Sequence, residues 1–438
     1  MSKTYNKRKS IVLVTGLLFG MPAGCQQAAP QTIADGAQAD AGQNLADTGD
    51  LRYGDSGVVY LPDAGVESSS CKNRITDSFE LVESAQVVSQ IKLRYLNDLV
   101  LVTFVEDIGS LNPNYVIQVK TYDSDGTIVN EVERAIWNAA YSDIFYDVQT
   151  NDESVVVAYM AVQPWDENKT FIAANVYNEA LELTEWGLQL SSRPSNAITP
   201  YVFRNGPDFI IFWHDFRPKV GDASQAPVFG IYYNQIAANG DRDDTDSMLT
   251  QEHSFYVPRD ATRPLAFHRE YLAYSSGDTQ NRGLNYFHIE TGHSVHVSNR
   301  SAFYEPRALS MASISGNNWI AGQGPSGSVV IVEAGENKYS EDIQFAQSGK
   351  GASLPNIFAT NNSAYIVWFD TDRDKRLNGI SIREIGEAED STNYLELNLP
   401  GELQAVSDVK ILEDSIKILA ARIHGGLVII DTIELCLP

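Results

Sequence analysis

The stretch IFWHDFRPKVGDASQAPVFGIYYNQIAANGD (residues 211–241) decides how the fold of this chain is interpreted. It sets His214 between Trp213 and Asp215, with Arg217 two residues further on, a combination that suggests an active site. In a strand, however, successive side chains point to opposite faces, so His214 points away from both of its neighbours. The stretch is then a strand, a polar loop, a second strand and a Gly turn. Asp215 and Arg217 share one face, which predicts a structural contact that holds the loop.

Seven runs rich in β-branched and aromatic residues follow the same plan. Such runs favour β-strands, and their starting points lie on average about 53 residues apart, within the range of propeller blades. The runs are LVLVTF at 99, VVVAYM at 155, FIIFW at 209, YLAY at 271, WIAG at 319, YIVWF at 365 and IKILA at 416. The regular spacing predicts seven structural repeats.

Each repeat has further features of a four-stranded antiparallel sheet. Four repeats have a proline before the run, where the first residue of a strand tolerates the missing N–H: Pro200, Pro264, Pro306 and Pro355. A third β-rich segment follows each run, and a glycine suited to a tight turn follows five of these segments: Gly126, Gly240, Gly292, Gly335 and Gly386. We therefore predict an all-β fold, a seven-bladed β-propeller of four-stranded antiparallel blades, with six or eight blades as alternatives.

Residues 1–24 have the features of a secretory signal peptide. The basic segment Lys7–Lys9 precedes an apolar run from Ile11 to Phe19, and small residues lead to Cys25. The sequence PAGC at 22–25 resembles a bacterial lipobox, which implies cleavage before Cys25 and a palmitate-bearing lipid anchor on that cysteine. By the same resemblance, Gln26 indicates sorting to the outer membrane, with the folded domain periplasmic or on the cell surface.

Residues 25–70 are predicted to form a disordered acidic tether, because they are rich in Ala, Gly, Asp and Gln and poor in bulky apolar residues. Residues 71–438 are predicted to form the propeller. The chain carries a formal net charge of −25. A surface this acidic repels the phosphate backbone, so we predict no nucleic-acid partner.

The two ends of the folded region are predicted to meet. The seventh repeat, residues 402–438, holds only three strands, whereas ITDSFELVES at 75–84 is a spare strand before the first repeat. An N-terminal strand that completes the last blade leaves no open edge in the ring. Cys71 and Cys436 would then lie on neighbouring strands. They are also the even pair left after lipidation of Cys25, so we predict a disulfide between them, contributing about 4–5 kcal/mol.

The pattern W-x-D-x-R, a loop, then I-Y-x-x-x-I-x-x-x-G resembles blades of sialidase-like β-propellers in bacterial surface lipoproteins. It comprises Trp213, Asp215, Arg217, Ile231, Tyr232, Ile236 and Gly240, with a looser copy at Trp368, Asp370, Arg373, Ile380 and Gly386. The resemblance implies a propeller and, as an alternative function, a glycan-active hydrolase or lyase with its site in the central channel. The sialidase Asp-box S-x-D-x-G-x-T-W does not occur. Five arginines offer themselves for a sialidase triad but do not align with it: Arg204, Arg217, Arg263, Arg307 and Arg373.

Acidic and His-rich segments are candidate metal sites. Asp370, Asp372 and Asp374 begin like a calcium loop, and Asp241, Asp243 and Asp244 form a denser acidic cluster. Calcium is the candidate cofactor, with solvated turns as the alternative, because Asp favours turns. His288, His293 and His296 have a spacing that suggests zinc, but hairpin geometry places His296 on the face opposite the other two, which argues against a shared ion.

No nucleophile or phosphate-binding motif occurs in the sequence, which favours a non-catalytic protein. Three aromatic residues in predicted loops are candidate contacts for a protein or carbohydrate partner: Trp165, Phe216 and Tyr304. We predict a membrane-anchored lipoprotein whose propeller is a protein- or glycan-binding scaffold at the outer membrane. A periplasm-facing assembly scaffold and the glycan-active enzyme remain as alternatives, because one fold hosts many functions.

Overall fold

The computed structural model describes residues 71–84, 88–107, 115–138, 145–163, 166–192, 197–217, 228–250, 264–276, 283–298, 308–314, 316–323, 329–335, 338–339, 343–345, 351–360, 363–371, 376–385, 393–397 and 399–438. Every regular element among these residues is a β-strand. None of the described residues belongs to a helix long and apolar enough to span a membrane. The predicted signal peptide, the lipidation site Cys25 and the tether lie outside the described residues.

The strands form seven antiparallel sheets, one for each predicted repeat. Blade 1 contains β2 (Val88–Leu96), β3 (Leu99–Asp107), β4 (Tyr115–Tyr122) and β5 (Ile128–Asn138). Blade 2 contains β6 (Tyr146–Thr150), β7 (Ser154–Gln163), β8 (Asp166–Asn178) and β9 (Leu183–Gln189). Blade 3 contains β10 (Ile198–Asn205), β11 (Asp208–Arg217), β12 (Val228–Ile236) and β13 (Ser247–Thr250). Blade 4 contains β14 (Leu265–His268), β15 (Tyr271–Ser276), β16 (Gly283–His288) and β17 (Ser294–Ser298).

The remaining blades differ from this plan in two places. Blade 5 contains β18 (Leu309–Ile314), β19 (Asn317–Gln323) and β20 (Val329–Gly335), and its outer position is shared by β21 (Lys338–Tyr339) and β22 (Ile343–Phe345). Blade 6 contains β23 (Gly351–Ala359), β24 (Ala364–Thr371), β25 (Leu377–Glu384) and β26 (Asn393–Glu396). In blade 7, β27 (Glu402–Val406) and β28 (Lys410–Ile411) share the inner position, followed by β29 (Ser415–His424), β30 (Leu427–Cys436) and β1 (Arg74–Ser84). The molecule is a seven-bladed propeller, as predicted.

The N-terminal strand completes the last blade. β1 pairs antiparallel with β30, from Arg74 opposite Glu434 to Ser84 opposite Leu427. Cys71 and Cys436 lie just outside this ladder and form a disulfide across 365 residues of sequence. Both the closing strand and the disulfide are therefore confirmed.

The seven β-rich runs are the second strands of their blades, as predicted. The prediction that proline begins the inner strand was wrong for Pro200 and Pro355. Both lie inside their strands, at register shifts where the ladder is interrupted and the missing N–H is tolerated. Pro264 directly precedes β14, whereas Pro306 lies outside the described residues.

Three of the five predicted turn glycines lie in turns. Gly126, Gly240 and Gly292 have positive φ in turns between third and fourth strands. Gly335 is instead the last residue of β20, and Gly386 lies outside the described residues.

The hydrophobic core lies between the blades, with one buried cluster at each of the seven interfaces. Trp213 lies in the cluster shared with blade 2, which contains Val156. Its neighbour Phe212 lies in the cluster shared with blade 4, which contains Phe267. Adjacent residues of β11 therefore point to opposite faces, as predicted. Because each blade buries both of its faces, all seven inner strands are held around a central channel.

Candidate functional site

Register shifts interrupt four of the described inner strands, β2, β10, β23 and β27. Those in β2, β10 and β23 are β-bulges that each hold one residue in the left-handed conformation. The bulges contain Gln90, Thr199 and Leu354 with φ of 51°, 54° and 51°, a left-handed conformation that non-glycine residues seldom adopt. Lys92 and Asn356, which follow two of these bulges, line the channel.

A group of charged side chains, the channel cluster, lies around the channel: Lys92, Arg94, Asp147 and Asp408. Arg94 has its Nη2 atom 3.7 Å from Asp147 Oδ1 and its Nε atom 3.6 Å from Asp408 Oδ2. Lys92 Nζ lies 3.8 Å from Asp147 Oδ1. The Arg94 and Asp147 side chains are only 8% and 7% exposed, whereas that of Asp408 is 38% exposed. These are ion pairs somewhat longer than hydrogen bonds, in which one arginine lies between two carboxylates.

Further hydrogen bonds connect the channel cluster to neighbouring blades. Asp147 Oδ2 accepts the backbone N–H of Val202 in blade 3 at 3.0 Å. Gln149 Nε2 donates to Asp408 Oδ2 at 3.1 Å. The inner strand is an edge of its sheet and needs partners for its unpaired backbone groups. The cluster supplies one such partner and joins blades 1, 2, 3 and 7.

Similar contacts occur between other inner strands. The Ile357 N–H of blade 6 donates to Ser310 Oγ of blade 5 at 3.0 Å. The Tyr146 hydroxyl of blade 2 donates to the Gln90 carbonyl of blade 1 at 2.6 Å. Burial raises the pKa of Tyr146 far above its ordinary value, so the hydroxyl remains a donor. Side-chain contacts to inner-strand backbone thus recur around the ring.

The channel widens into a cavity of about 430 Å³ where the inner strands turn into the second strands. All seven blades line this hairpin-end cavity. Its polar lining includes Arg94, Gln149, Arg204, His268, Ser310, Asn356, Asp408 and Lys410, and its apolar lining includes Phe203, Phe267, Met311, Phe358 and Leu412. A smaller cavity of about 80 Å³ lies further along the channel beside Lys92, Asp147 and Gln404. The volume of the larger cavity falls in the range of small-molecule sites, about 300–1,000 Å³.

His268 is a buried titratable group in the wall of the hairpin-end cavity. The residue is 8% exposed, and burial lowers the pKa of its imidazole to about 4. Within the described part of the chain, its Nε2 atom has no hydrogen-bond partner. The imidazole is therefore neutral at neutral pH, since burial disfavours the charged form.

The residues of the opening stretch lie inside the protein. His214 and Asp215 are 1% and 0% exposed on β11, and burial lowers the pKa of His214 well below its ordinary value. Because β11 alternates, the two side chains do not form a catalytic dyad. The side chain of Arg217 lies outside the described residues, so its contact with Asp215 stays a prediction.

The predicted calcium ligands are only partly described. Asp370 is 1% exposed and its Oδ2 atom accepts the Ser381 hydroxyl at 3.2 Å, whereas Asp372 and Asp374 lie outside the described residues. Asp241, Asp243 and Asp244 are exposed, and Asp241 Oδ2 accepts the Asn239 amide at 2.7 Å. Among the residues with described side chains, no three His, Cys, Asp or Glu form a group that could hold a metal. Calcium stays a prediction.

The three histidines of the β16–β17 hairpin have separate environments. His288 Nε2 lies 3.3 Å from Glu270, and the ring packs edge-on against Tyr271. His296 Nδ1 lies 3.2 Å from Asn285 Oδ1. His293 is exposed in the turn. The three rings therefore lie in different environments.

Most other candidate residues fall outside what the structure describes. Trp165, Tyr304, Arg263, Arg307 and Arg373 are not described, and for Phe216 only the backbone is, paired with Phe229. Arg204 is described: its Nη2 atom lies 3.4 Å from Asp152 Oδ2 at the hairpin-end cavity. The structure thus brings one of the five predicted arginines to the channel and pairs it with a carboxylate.

Sequence reasoning missed the channel cluster. Its four residues come from three blades and carry no motif. One signal was present: IKLR at 91–94 alternates apolar and basic residues, which in a strand places both basic side chains on one face. Asp147 and Asp408 offered no comparable signal.

No protein-family model matches the chain, and no curated protein matches it. Several solved β-propeller structures are similar. A sialidase of Trypanosoma rangeli is 11% identical with a TM-score of 0.38, covering 72% of this chain and 57% of the sialidase. An α-L-arabinofuranosidase of Fusarium graminearum is 11% identical with a TM-score of 0.42, covering 83% of this chain and 98% of that one. The β-propeller domain of the Trilobed protease from Pyrococcus furiosus is 10% identical with a TM-score of 0.44, covering 80% and 98%.

This chain spans little more than half the length of the sialidase. At these identities the likeness concerns the fold alone, and at these TM-scores it supports no argument about activity.

Proposed function

We propose that this chain is a non-catalytic, lipid-anchored lipoprotein whose propeller binds a protein or glycan partner at the outer membrane. The observation that supports the proposal is the pairing within the channel cluster. Arg94 lies between Asp147 and Asp408, and Asp147 also accepts the Val202 N–H. A carboxylate that acts as a general acid or base has to exchange a proton with its substrate. Carboxylates engaged with cations and backbone are better suited to joining blades.

The absence of catalysis is tested with a panel of chromogenic glycosides and the full chain. We expect no turnover above buffer. Turnover that is lost in Asp408→Asn but kept in Asp98→Asn would instead support the glycan-active hydrolase or lyase. Asp98 is a suitable control because it lies at the same end of the channel and outside the channel cluster, paired with Lys410 at 3.1 Å.

The anchor is tested by membrane fractionation of cells that produce Cys25→Ala. We expect the variant to leave the membrane fraction, because a lipidated cysteine supplies the acyl chains that hold the protein there. Cys71→Ser is the matched control and should stay membrane-bound. Retention of Cys25→Ala in membranes would contradict the lipid anchor.

Protease treatment of intact cells decides the orientation. Degradation of the propeller places it on the cell surface, where it meets external protein or glycan. Protection on intact cells, with degradation after permeabilisation, supports the periplasm-facing assembly scaffold. A glycan array and affinity capture with the full chain then identify the class of partner.

A further inference from the structure

We propose that the hairpin-end cavity is a binding site for an uncharged mono- or disaccharide. This inference deepens the proposed binding function and rests on it. The cavity lies at the end of the channel where inner strands turn into second strands. The cavity holds about 430 Å³ and is lined by residues of every blade, which gives it a volume suited to a small molecule.

The charges in the cavity wall are balanced. Arg94 lies 3.6 Å from Asp408, Arg204 lies 3.4 Å from Asp152, and Lys410 lies 3.1 Å from Asp98. Each cation of the lining thus has a carboxylate beside it, and burial keeps His268 neutral. A charged ligand would have to compete with these pairs and lose its own hydration. The wall therefore favours a ligand without net charge.

Two amide side chains in the wall are held in fixed orientations. Asn356 donates through Nδ2 to the Ser407 carbonyl and accepts the Ser310 hydroxyl, both at 3.2 Å. Gln149 donates to Asp408 at 3.1 Å and accepts the Thr150 N–H at 3.0 Å. A primary amide has two N–H donors. Among the described contacts each amide uses one of them, which leaves a positioned donor for a ligand oxygen.

Apolar side chains form the rest of the wall. Phe203, Phe267, Phe358 and Met311 belong to it. Apolar surface beside a few positioned polar groups is the usual composition of a ligand pocket. A sugar matches this composition because its C–H surface packs against apolar groups while its hydroxyls accept and donate hydrogen bonds. The full set of paired charges, fixed amide donors and apolar surface points to a neutral saccharide.

The cavity offers an internal reporter for binding. The chain has five methionines, and Met311 is the one that lines the cavity among those described. Met160 is buried between blades 2 and 3, and Met248 is 41% exposed on the outer strand of blade 3. In the full chain labelled with ¹³C-methyl methionine, a ligand in the cavity should shift the Met311 resonance and leave those of Met160 and Met248 in place. Met311→Leu identifies the resonance.

The titration uses glucose, galactose, N-acetylglucosamine, maltose and cellobiose, with galacturonate, N-acetylneuraminate and trialanine for comparison. We expect at least one neutral sugar to shift Met311 saturably. Gln149→Met should weaken that affinity by about tenfold, through loss of a hydrogen bond. Gln189→Met, an exposed position on the outer strand of blade 2, should leave it unchanged.

The outcomes separate this proposal from the proposed function. If no neutral sugar shifts Met311, if only the charged sugars or the peptide do, or if Gln149→Met binds as wild type does, the cavity proposal is wrong. Glycan or protein binding detected without a Met311 shift would leave the binding function standing and refute the cavity alone. The Met311 measurement uses the wild-type chain, so it does not depend on any variant folding.

Discussion

His268 is neutral in the folded protein because of where it lies, in the buried wall of the hairpin-end cavity. Burial lowers its pKa to about 4, whereas an unfolded histidine titrates near pH 6.5. Between these values the unfolded chain binds a proton that the folded chain does not. The free energy of unfolding is therefore unaffected by His268 above pH 6.5. As the pH falls from 6.5 towards 4, protonation of His268 in the unfolded chain lowers the free energy of unfolding by roughly 3 kcal/mol in total.

Urea unfolding at pH 7.5 and pH 5.0 measures this effect. His268→Gln should lose less free energy of unfolding than wild type between the two pH values, because the titrating group is gone. His293→Gln is the control: this residue is exposed, and its replacement should leave the wild-type pH dependence intact. Equal pH dependence in wild type and His268→Gln would show that His268 is solvated.

At the scale of single elements, the bulge in β2 holds Gln90 at a φ of 51°. A left-handed conformation costs an L-residue about 1–2 kcal/mol, and glycine avoids that cost. We expect Gln90→Gly to be more stable than Ser89→Gly by about 1 kcal/mol in denaturant unfolding. Ser89 is a suitable control because it is an exposed neighbour in the same strand and lacks the positive φ. Equal stability of the two variants would argue against the bulge.

The second strands could be located from sequence, whereas the bulges could not. Runs such as LVLVTF at 99 are buried on both faces, so β-branched and aromatic residues dominate them and the repeat becomes visible. The bulges carry Gln90, Thr199 and Leu354 in place of glycine. Three of the four prolines, Pro200, Pro264 and Pro355, marked inner strands correctly, but Pro200 and Pro355 lie at the bulges inside their strands, not at the first residues.

The channel cluster shows what remained beyond sequence reasoning. Arg94, Asp147 and Asp408 come together because ring closure places blades 1, 2 and 7 next to one another. The residues of a motif on one strand have a fixed spacing, whereas these three residues lie at unrelated distances along the chain. The disulfide was predictable for the opposite reason, since the strand count and the number of cysteines both pointed to Cys71 and Cys436.

At the scale of the whole molecule, the disulfide holds the closing strand β1 against β30. It links residues 365 positions apart, so its loss frees a very long loop in the unfolded chain. We expect Cys71→Ser to lower the free energy of unfolding by about 4 kcal/mol and to leave Cys436 reactive to thiol reagents. The double variant Cys71→Ser/Cys436→Ser should be equally destabilised without a reactive thiol. Unchanged stability of Cys71→Ser would mean that strand pairing alone closes the ring.

The central claim is that the channel cluster joins the blades instead of performing catalysis, and the free energy of unfolding of Arg94→Met tests it most directly. Methionine keeps the length of the arginine stem but leaves the buried Asp147 and the partly exposed Asp408 without the cation between them. Removing one partner of a buried ion pair typically costs about 3 kcal/mol or more, and we expect a loss of this size. Residues kept for catalysis often cost stability, so their replacement tends to be neutral or stabilising. An Arg94→Met variant as stable as wild type, or more stable, would contradict the account.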